Sequence, residues 1–403
     1  MAVKRQYEDY PYPPRDPKDE STRLIEGSPS HLDEVNHYLY GGAQDFTVPF
    51  RALVAGGGTG DAAIMLAQHL TDRGDQGSVT YLDLSTASRD VAEVRADARG
   101  LTNIEFLTGS LLDLPEMDLD PFDYIDCCGV LHHLEEPEKG LAALAACLAE
   151  GGGMGLMVYA TLGRTGVYPV QNALKTLTAG ENTSQQVETA KKLIKDLPAT
   201  NWLSKNTLVG DHKRGEDAAL YDLLLHPRDR SYLVGELLEF LEGSGLGPAA
   251  FIEPVRYNPD IFLQDKVLIK KARALEFGAR AALAENLAGT LKTHTVYAKR
   301  APEHSSCIAR FEPHMIPILK DRNPDILARA LKQQSVLKVS FDGDGLSLPV
   351  PQGGEGFVEL IDGQRRLSDI QKCLSLNWQR FRETAMPTYK LLTDLNLMWL
   401  RAG

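Results

Sequence analysis

The chain lacks the marks of a membrane protein and of a disulfide-stabilised protein. None of its 403 residues belongs to an apolar run near the ~20 residues that a membrane-spanning helix needs. Residues 1–10 lack the apolar core of a signal peptide. The five cysteines form no C-x-x-C pair and are odd in number, so neither a disulfide framework nor a zinc site is indicated. We therefore expect a cytoplasmic protein without a metal site.

Positive charge is also scarce. Lys and Arg number 43 against 55 Asp and Glu, which gives a formal net charge of -12. Because phosphate backbones are bound by basic faces, this balance disfavours a general nucleic-acid-binding role. The length is sufficient for two or three domains, each with its own core.

Glycine, in contrast, is concentrated in one turn. An apolar strand pattern over 51–55 breaks into Gly56, Gly58 and Gly60, and a helical pattern begins at Asp61. The pattern predicts a strand, a tight turn and a helix N-terminus, where backbone N–H groups can approach a ligand closely. The G-x-G-x-G spacing differs from the G-x-G-x-x-G of dinucleotide-binding folds. It resembles the first motif of class I S-adenosylmethionine-dependent methyltransferases.

Short apolar strands alternate with amphipathic helical patterns as far as residue 160, which predicts a doubly wound α/β fold. Its sheet is expected to be mostly parallel and seven-stranded, as in class I methyltransferases. Strands are predicted at 51–55, 78–83, 103–108, 124–128, 153–159, 249–253 and 294–298. Residues 161–245 are read as a helical insertion after the fifth strand, where ligands of open α/β sheets bind. This insertion is expected to cap the acceptor.

The chain divides into three predicted segments. Residues 1–46 form an N-terminal arm and helix, a candidate lid. Residues 47–300 form the methyltransferase domain. Residues 301–403 form a small α+β domain, with a hairpin over 336–348 turning at 342–345 and helical patterns continuing toward Leu400. The pattern over 357–370 resembles winged-helix peptide-binding domains of the pyrroloquinoline-quinone chaperone type.

Three further segments match the class I methyltransferase order. Asp83 ends the second strand, where the family's acid holds the ribose hydroxyls. Residues 109–114 match the adenine segment, and residues 122–135 match the fourth motif with its His-His-Leu loop. Val54 and Ser110 depart from the pattern, since many members have an acid at each position. The resemblance implies that S-adenosylmethionine is bound by Gly56, Gly57, Gly58, Gly60, Asp61, Asp83, Leu84, Ser110, Leu111, Gly129, Val130 and His132.

Candidate acceptor-site residues follow the fourth and fifth strands. Methyl transfer is a displacement that depends mainly on alignment, and a base is needed only for a protonated nucleophile. His133 is a candidate base, Arg164 a candidate ligand for an acceptor carboxylate, and Tyr168 a candidate group to polarise the nucleophile. The structural alternatives are that His133 caps its loop and that Arg164 is solvated. A polar cluster at Asp222 and His226 either lies near the acceptor or braces a helix end.

The sequence thus predicts an S-adenosylmethionine-dependent methyltransferase acting on nitrogen or oxygen. The C-terminal domain favours a protein or peptide acceptor, whereas the insertion favours a metabolite or natural product. An alternative of another class is a regulatory protein that binds the cofactor without turnover. A nicotinamide-dependent oxidoreductase is disfavoured by the glycine spacing. The acceptor and the oligomeric state, a homodimer included, stay open.

Overall fold

A seven-stranded sheet lies at the centre of the computed structural model, which describes residues 7–8, 11–74, 76–213, 216–320, 322–341 and 343–403. Its strands follow the order β3-β2-β1-β4-β5-β7-β6, and only β7 runs antiparallel to its neighbours. This confirms the predicted sheet. The strands are β1 (Phe50–Ala55), β2 (Gly77–Asp83), β3 (Ile104–Thr108), β4 (Phe122–Cys128), β5 (Leu148–Tyr159), β6 (Leu246–Ile252) and β7 (Thr293–Arg300).

Helices cover both faces of the sheet, which is why its central strands are apolar without alternation. One face packs against α1, α2 and α3, and the other against α4, α9 and α11. Their bounds are α1 (Leu32–Leu39), α2 (Asp61–Asp72), α3 (Thr86–Arg99), α4 (Pro137–Ala146), α9 (Val234–Glu242) and α11 (Phe277–Ala288). The parallel strands therefore direct their carboxyl ends to one open edge.

The insertion after β5 folds as a helical layer with its own apolar core. The core is built from residues at helical spacing, such as Val167, Val170 and Leu174 on α5. The helices of the insertion are α5 (Val167–Leu177), α6 (Thr183–Asp196), α7 (Trp202–Lys205) and α8 (Asp217–Leu224). Between β6 and β7, α10 (Lys266–Arg273) ends before α11 begins.

The C-terminal segment combines two antiparallel strand pairs with helices. The predicted hairpin is present as β9 paired with β10, although Asp342 in its turn lies outside the described residues. The helical expectation near Leu400 is wrong, because Met398–Ala402 forms a strand paired with Met315–Leu319. The elements are β8 (Met315–Leu319), α12 (Pro324–Gln333), β9 (Val336–Phe341), β10 (Asp344–Pro349), α13 (Glu355–Glu359), α14 (Leu367–Cys373), α15 (Trp378–Asp394) and β11 (Met398–Ala402).

Strand β11 packs the C-terminal segment against the sheet domain. Trp399 is 0% exposed and packs in the same core as α1 and β1. Its indole N–H donates to Asn396 Oδ1 at 2.8 Å, and the Leu400 N–H donates to His37 Nδ1 on α1 at 3.0 Å. The two parts of the chain therefore share a core. Among the described residues, no helix has the length and apolar character needed to cross a membrane.

We predict that Trp399→Ala destabilises the protein by about 3–5 kcal/mol, because it leaves a cavity where a fully buried aromatic side chain was. Urea denaturation followed by circular dichroism measures the loss. Trp399→Phe is the matched control and should lose less, since it keeps a ring and gives up the hydrogen bond to Asn396. A loss below about 1 kcal/mol in Trp399→Ala would show that β11 does not couple the two parts.

Candidate active site

A cavity of about 520 Å³ opens at the carboxyl ends of β1, β2, β4 and β5. It is bounded by the turn after β1, the end of β2, the loops after β3 and β4, the N-terminal arm and the helical insertion. This is the edge at which open α/β sheets bind ligands. The cavity is large enough for a nucleoside-sized ligand with an acceptor group beside it.

The glycine turn forms the floor of the cavity. Gly56 has φ +82°, and a methyl group at its Cα would overlap the Val130 side chain. Gly58 has φ +50°, and a Cβ there would lie 2.7 Å from the carbonyl oxygen of Tyr12. Only glycine combines these backbone angles with such close approach. The turn therefore holds its backbone where the N-terminal arm and the β4 loop can both reach it.

Asp83 connects the turn to the end of β2. Its Oδ2 accepts from the Gly58 N–H at 2.8 Å, and its Oδ1 accepts from the Ser85 N–H at 2.8 Å. Burial raises the pKa of the Asp83 carboxyl, and these N–H groups act in the opposite direction. Each carboxylate oxygen can accept a second hydrogen bond. The carboxylate is thus held in place with acceptor capacity left on both oxygens, which fits a pair of ribose hydroxyls.

The N-terminal arm lies across the glycine turn. The Thr59 hydroxyl donates to the Pro13 carbonyl at 2.7 Å, and Arg15 pairs with Asp61 at 2.5 Å. The Tyr7 carbonyl accepts from the Ser85 hydroxyl at 3.0 Å. Tyr7 and Tyr12 line the cavity; Tyr10, the other tyrosine of the predicted aromatic lid, lies outside the described residues. The arm therefore forms one wall of the cavity.

The β4 and β5 side of the cavity carries a base, a phenol and an acid. The His133 Nδ1 lies 2.9 Å from the Arg228 carbonyl oxygen, so this nitrogen carries the proton and Nε2 keeps its lone pair. The Tyr159 hydroxyl donates to Asp222 Oδ2 at 3.0 Å. Burial raises the pKa of the Asp222 carboxyl. All three side chains line the cavity.

His226 completes this group without adding a second base. Its ring stacks on His133 with centroids 3.7 Å apart, and its Nδ1 accepts from the Arg228 N–H at 3.2 Å. Burial lowers the pKa of His226 to about 2. One nitrogen or oxygen of each of His133, Asp222 and His226 lies within 4.8 Å of the others. Because Nδ1 of His226 accepts from the Arg228 N–H, the neutral ring carries its proton on Nε2, and neither ring nitrogen offers a free lone pair to a cation.

Arg164 is 6% exposed, so the surface alternative for this residue is wrong. Its guanidinium lies 3.7 Å from the centroid of the Tyr159 ring and pairs with Asp229 at 2.9 Å. The ion pair holds Arg164 in place, and the guanidinium packs on the ring of the phenol that donates to Asp222. Since its charge is already paired, an acceptor carboxylate would have to displace Asp229 to reach Arg164.

Most residues predicted from the sequence surround the cavity, although none of their roles is thereby tested. Those that line it are Gly56, Gly57, Gly58, Asp61, Asp83, Leu84, Ser110, Leu111, Gly129, Val130, His133 and Arg164. Gly60, His132 and Tyr168 do not. Gly60 is the N-cap residue of α2. The His132 ring packs on the Tyr159 ring with centroids 3.9 Å apart. The centroid of the Tyr168 ring lies 5.8 Å from the guanidinium carbon of Arg164.

Ser110 and Asp126 show what sequence reasoning could not place. The Ser110 hydroxyl accepts from the Leu112 N–H at 3.1 Å, so it caps a short helix in the segment matched to adenine binding. The sequence predicts Asp126 only as a residue of the fourth strand, but its side chain lines the cavity. Its acid character within a buried strand was the signal that could have identified it.

Comparison with known proteins identifies the kind of domain and the fold. A family model described as a methyltransferase domain matches residues 53–154. The uncharacterized protein syc1184_c of Synechococcus sp. is 32% identical over 316 residues, which are 75% of this chain and 72% of that protein. The structure of PKMT2 from Rickettsia typhi has a TM-score of 0.62 and 15% identity over 97% of this chain and 77% of that chain.

PKMT2 in complex with AdoHcy gives a TM-score of 0.63 and 14% identity over 95% of this chain and 76% of that chain. The chain belongs to the same family as the Synechococcus protein and has the α/β methyltransferase fold. Residues 53–154 form a methyltransferase domain, and its cofactor is S-adenosylmethionine.

We predict that Asp83→Ala weakens the binding of S-adenosylhomocysteine about 10- to 100-fold, because charge-assisted hydrogen bonds to the ribose contribute roughly 1.5–3 kcal/mol. Isothermal titration calorimetry measures the affinity. Asp97→Ala, at an exposed acid of α3 that does not line the cavity, is the matched control and should bind as the wild type does. An Asp83→Ala affinity within about twofold of wild type would exclude the ribose role.

Proposed function

We propose that this S-adenosylmethionine-dependent methyltransferase acts in the cytoplasm and methylates a side-chain nitrogen of a protein or peptide. The observation that carries the proposal is the Asp222 carboxylate, which lies in the same cavity wall as the His133 imidazole and within 4.8 Å of it. The cofactor supplies an activated methyl group on a sulfonium centre. The residues of the chain have to bind it, orient the acceptor nitrogen and remove a proton.

The turn and Asp83 are proposed to hold the cofactor. The backbone of Gly56 to Gly58 takes up its amino-acid part, and Asp83 takes up the ribose hydroxyls. Gly129 and Val130, at the end of β4, border the sulfonium region. The Ser110 hydroxyl accepts from the Leu112 N–H, and the adenine is proposed to depend on backbone groups of this segment and on Leu111.

Asp222 is proposed to attract the acceptor as an ammonium group. Arg164 forms its ion pair with Asp229, so the charge of Asp222 is not neutralised by an ion pair with Arg164. The ring of Tyr7 also lines the cavity, and aromatic rings attract cations. A carboxylate beside an aromatic ring favours a cationic amine over an anionic acceptor.

His133 is proposed to take the proton that the ammonium group must lose before it can attack. Its Nε2 lone pair is left free for this step by the contact of Nδ1 with the Arg228 carbonyl. Methylation returns a positive charge to the nitrogen, and Asp222 lies where it can stabilise that charge. Arg164 acts as a positioning residue through Tyr159, and Tyr168 is given no contact with the acceptor.

The C-terminal segment supports a protein or peptide acceptor. In hairpin β9–β10, the Asp344 carboxylate accepts from the Thr290 hydroxyl. Thr290 lies two residues before Lys292, which lines the cavity. A recognition domain at this position could present a side chain to the cavity. The resemblance to winged-helix peptide-binding domains stays a prediction, as do the proposed domain limits. The small-molecule alternative depends on the insertion, which covers the same region.

A labelling experiment tests the acceptor class. The protein is incubated with methyl-labelled S-adenosylmethionine and cell extract, and macromolecules are separated from small molecules. We expect label in the protein fraction that withstands mild alkali, since N-methyl amines are stable where methyl esters are hydrolysed. Label in the small-molecule fraction would favour the metabolite alternative. Tight cofactor binding without any S-adenosylhomocysteine formed would favour the regulatory alternative.

We predict that His133→Gln lowers the rate of methyl transfer about 10²- to 10⁴-fold, the usual contribution of a general base. Cofactor affinity should stay within about twofold of wild type, because the imidazole is proposed to act on the acceptor. Label incorporation into the isolated acceptor measures the rate. His226→Gln is the matched control and should lose less activity. A rate in His133→Gln above about a tenth of wild type would exclude the role of base.

A further inference from the structure

The acid that many class I methyltransferases carry at the end of their first strand is replaced here by Val54. Strand pairing places Asp126 on β4 directly beside Val54 on β1. Residues paired across parallel strands project to the same face of a sheet. Both residues line the cavity. The neighbouring strand therefore supplies a carboxylate next to the position where the first strand lacks one.

Asp126 is 2% exposed, a degree of burial at which carboxylates are ordinarily paired with a cation. Its two hydrogen bonds both reach Oδ2, from the Ser30 hydroxyl and from the Cys128 thiol at 3.5 Å. Within the part of the chain that the structure describes, no Lys or Arg forms an ion pair with it. Both donors are neutral, so the charge of Asp126 has no partner of opposite sign.

The other acids of the cavity already have a charged partner or a proposed ligand. Asp61 is paired with Arg15 at 2.5 Å and with Arg95 at 2.7 Å. Asp83 accepts from two backbone N–H groups and is proposed to take the ribose hydroxyls, and Asp222 is proposed to take the acceptor. Asp126 is therefore the acid that is left to receive a cationic group of the cofactor.

We propose that Asp126 binds the α-ammonium group of the cofactor's methionine part through its Oδ1. S-Adenosylmethionine carries an ammonium group at the end opposite the adenine. With the ribose at Asp83 on β2, this end extends across β1 toward β4. The inference rests on the cofactor position given under Proposed function, and it assigns this contact to β4.

The electrostatics of the free protein agree with this role. Burial raises the pKa of Asp126 to about 6, while the hydrogen bonds from Ser30 and Cys128 oppose the shift. Because this folded-state pKa exceeds the unfolded value of about 3.9, ionising Asp126 destabilises the fold. The cost is absent below the unfolded pKa and complete once the pH exceeds about 6. Asp126→Asn removes this cost, so the variant should fold at least as stably as wild type at pH 8.

Titration calorimetry at pH 8 with two ligands tests the inference. The ligands are S-adenosylhomocysteine and its analogue in which hydrogen replaces the α-amino group. We expect Asp126→Asn to weaken S-adenosylhomocysteine binding about 10- to 100-fold, as the loss of a charge-assisted bond does. Its affinity for the analogue should change less than about twofold, because that ligand has no ammonium group to lose.

Asp123→Asn is the matched control. Asp123 also lies on β4, but its carboxylate accepts from the Arg51 N–H at 2.8 Å, and it does not line the cavity. This variant should bind both ligands as wild type does. Equal weakening of both ligands by Asp126→Asn would overturn the inference, because it would show an effect on cavity shape. Unchanged binding of both would overturn it as well. Failure of wild type to bind S-adenosylhomocysteine would instead overturn the cofactor position itself.

Discussion

The hydrogen bond from the Gly58 N–H to the Asp83 carboxylate is the contact on which the site depends. It joins the turn after β1 to the end of β2, and it requires a backbone angle that glycine adopts without strain. The same turn has no side chain where the Tyr12 carbonyl approaches. One short loop therefore orients the Asp83 carboxylate and leaves room for the arm that forms one wall of the cavity.

The cavity combines two electrostatic environments. On the β2 side, carboxylates are held by backbone N–H groups or by arginines, as Asp61 is by Arg15 and Arg95. On the β4 and β5 side, Asp126 and Asp222 are buried with neutral hydrogen-bond donors. Such carboxylates are costly in the free protein, and a cationic ligand group offsets that cost. This asymmetry underlies both the proposed amine acceptor and the proposed contact with the cofactor's ammonium group.

Much of the sheet domain could be predicted because its pattern is local. Apolar strands alternating with helices specify parallel β-α units, and the glycine turn and Asp83 occur at fixed points of that pattern. The structure of the C-terminal segment was harder to predict. Its last strand, β11, pairs with its first strand, β8. A short apolar run such as β11 is also too short to show a helical or a strand period. The burial of Arg164 could not be predicted either, because its partner Asp229 lies 65 residues away in the sequence.

The sequence alone determined the fold class and the cofactor of the methyltransferase domain, because both depend on residue types at short, fixed spacings. Only the tertiary structure brought Asp126 beside Val54, His226 against His133, and the N-terminal arm over the glycine turn. These contacts join residues that are distant in sequence, and strand register and helix packing decide them. The composition of the cavity wall is for that reason a property of the folded chain.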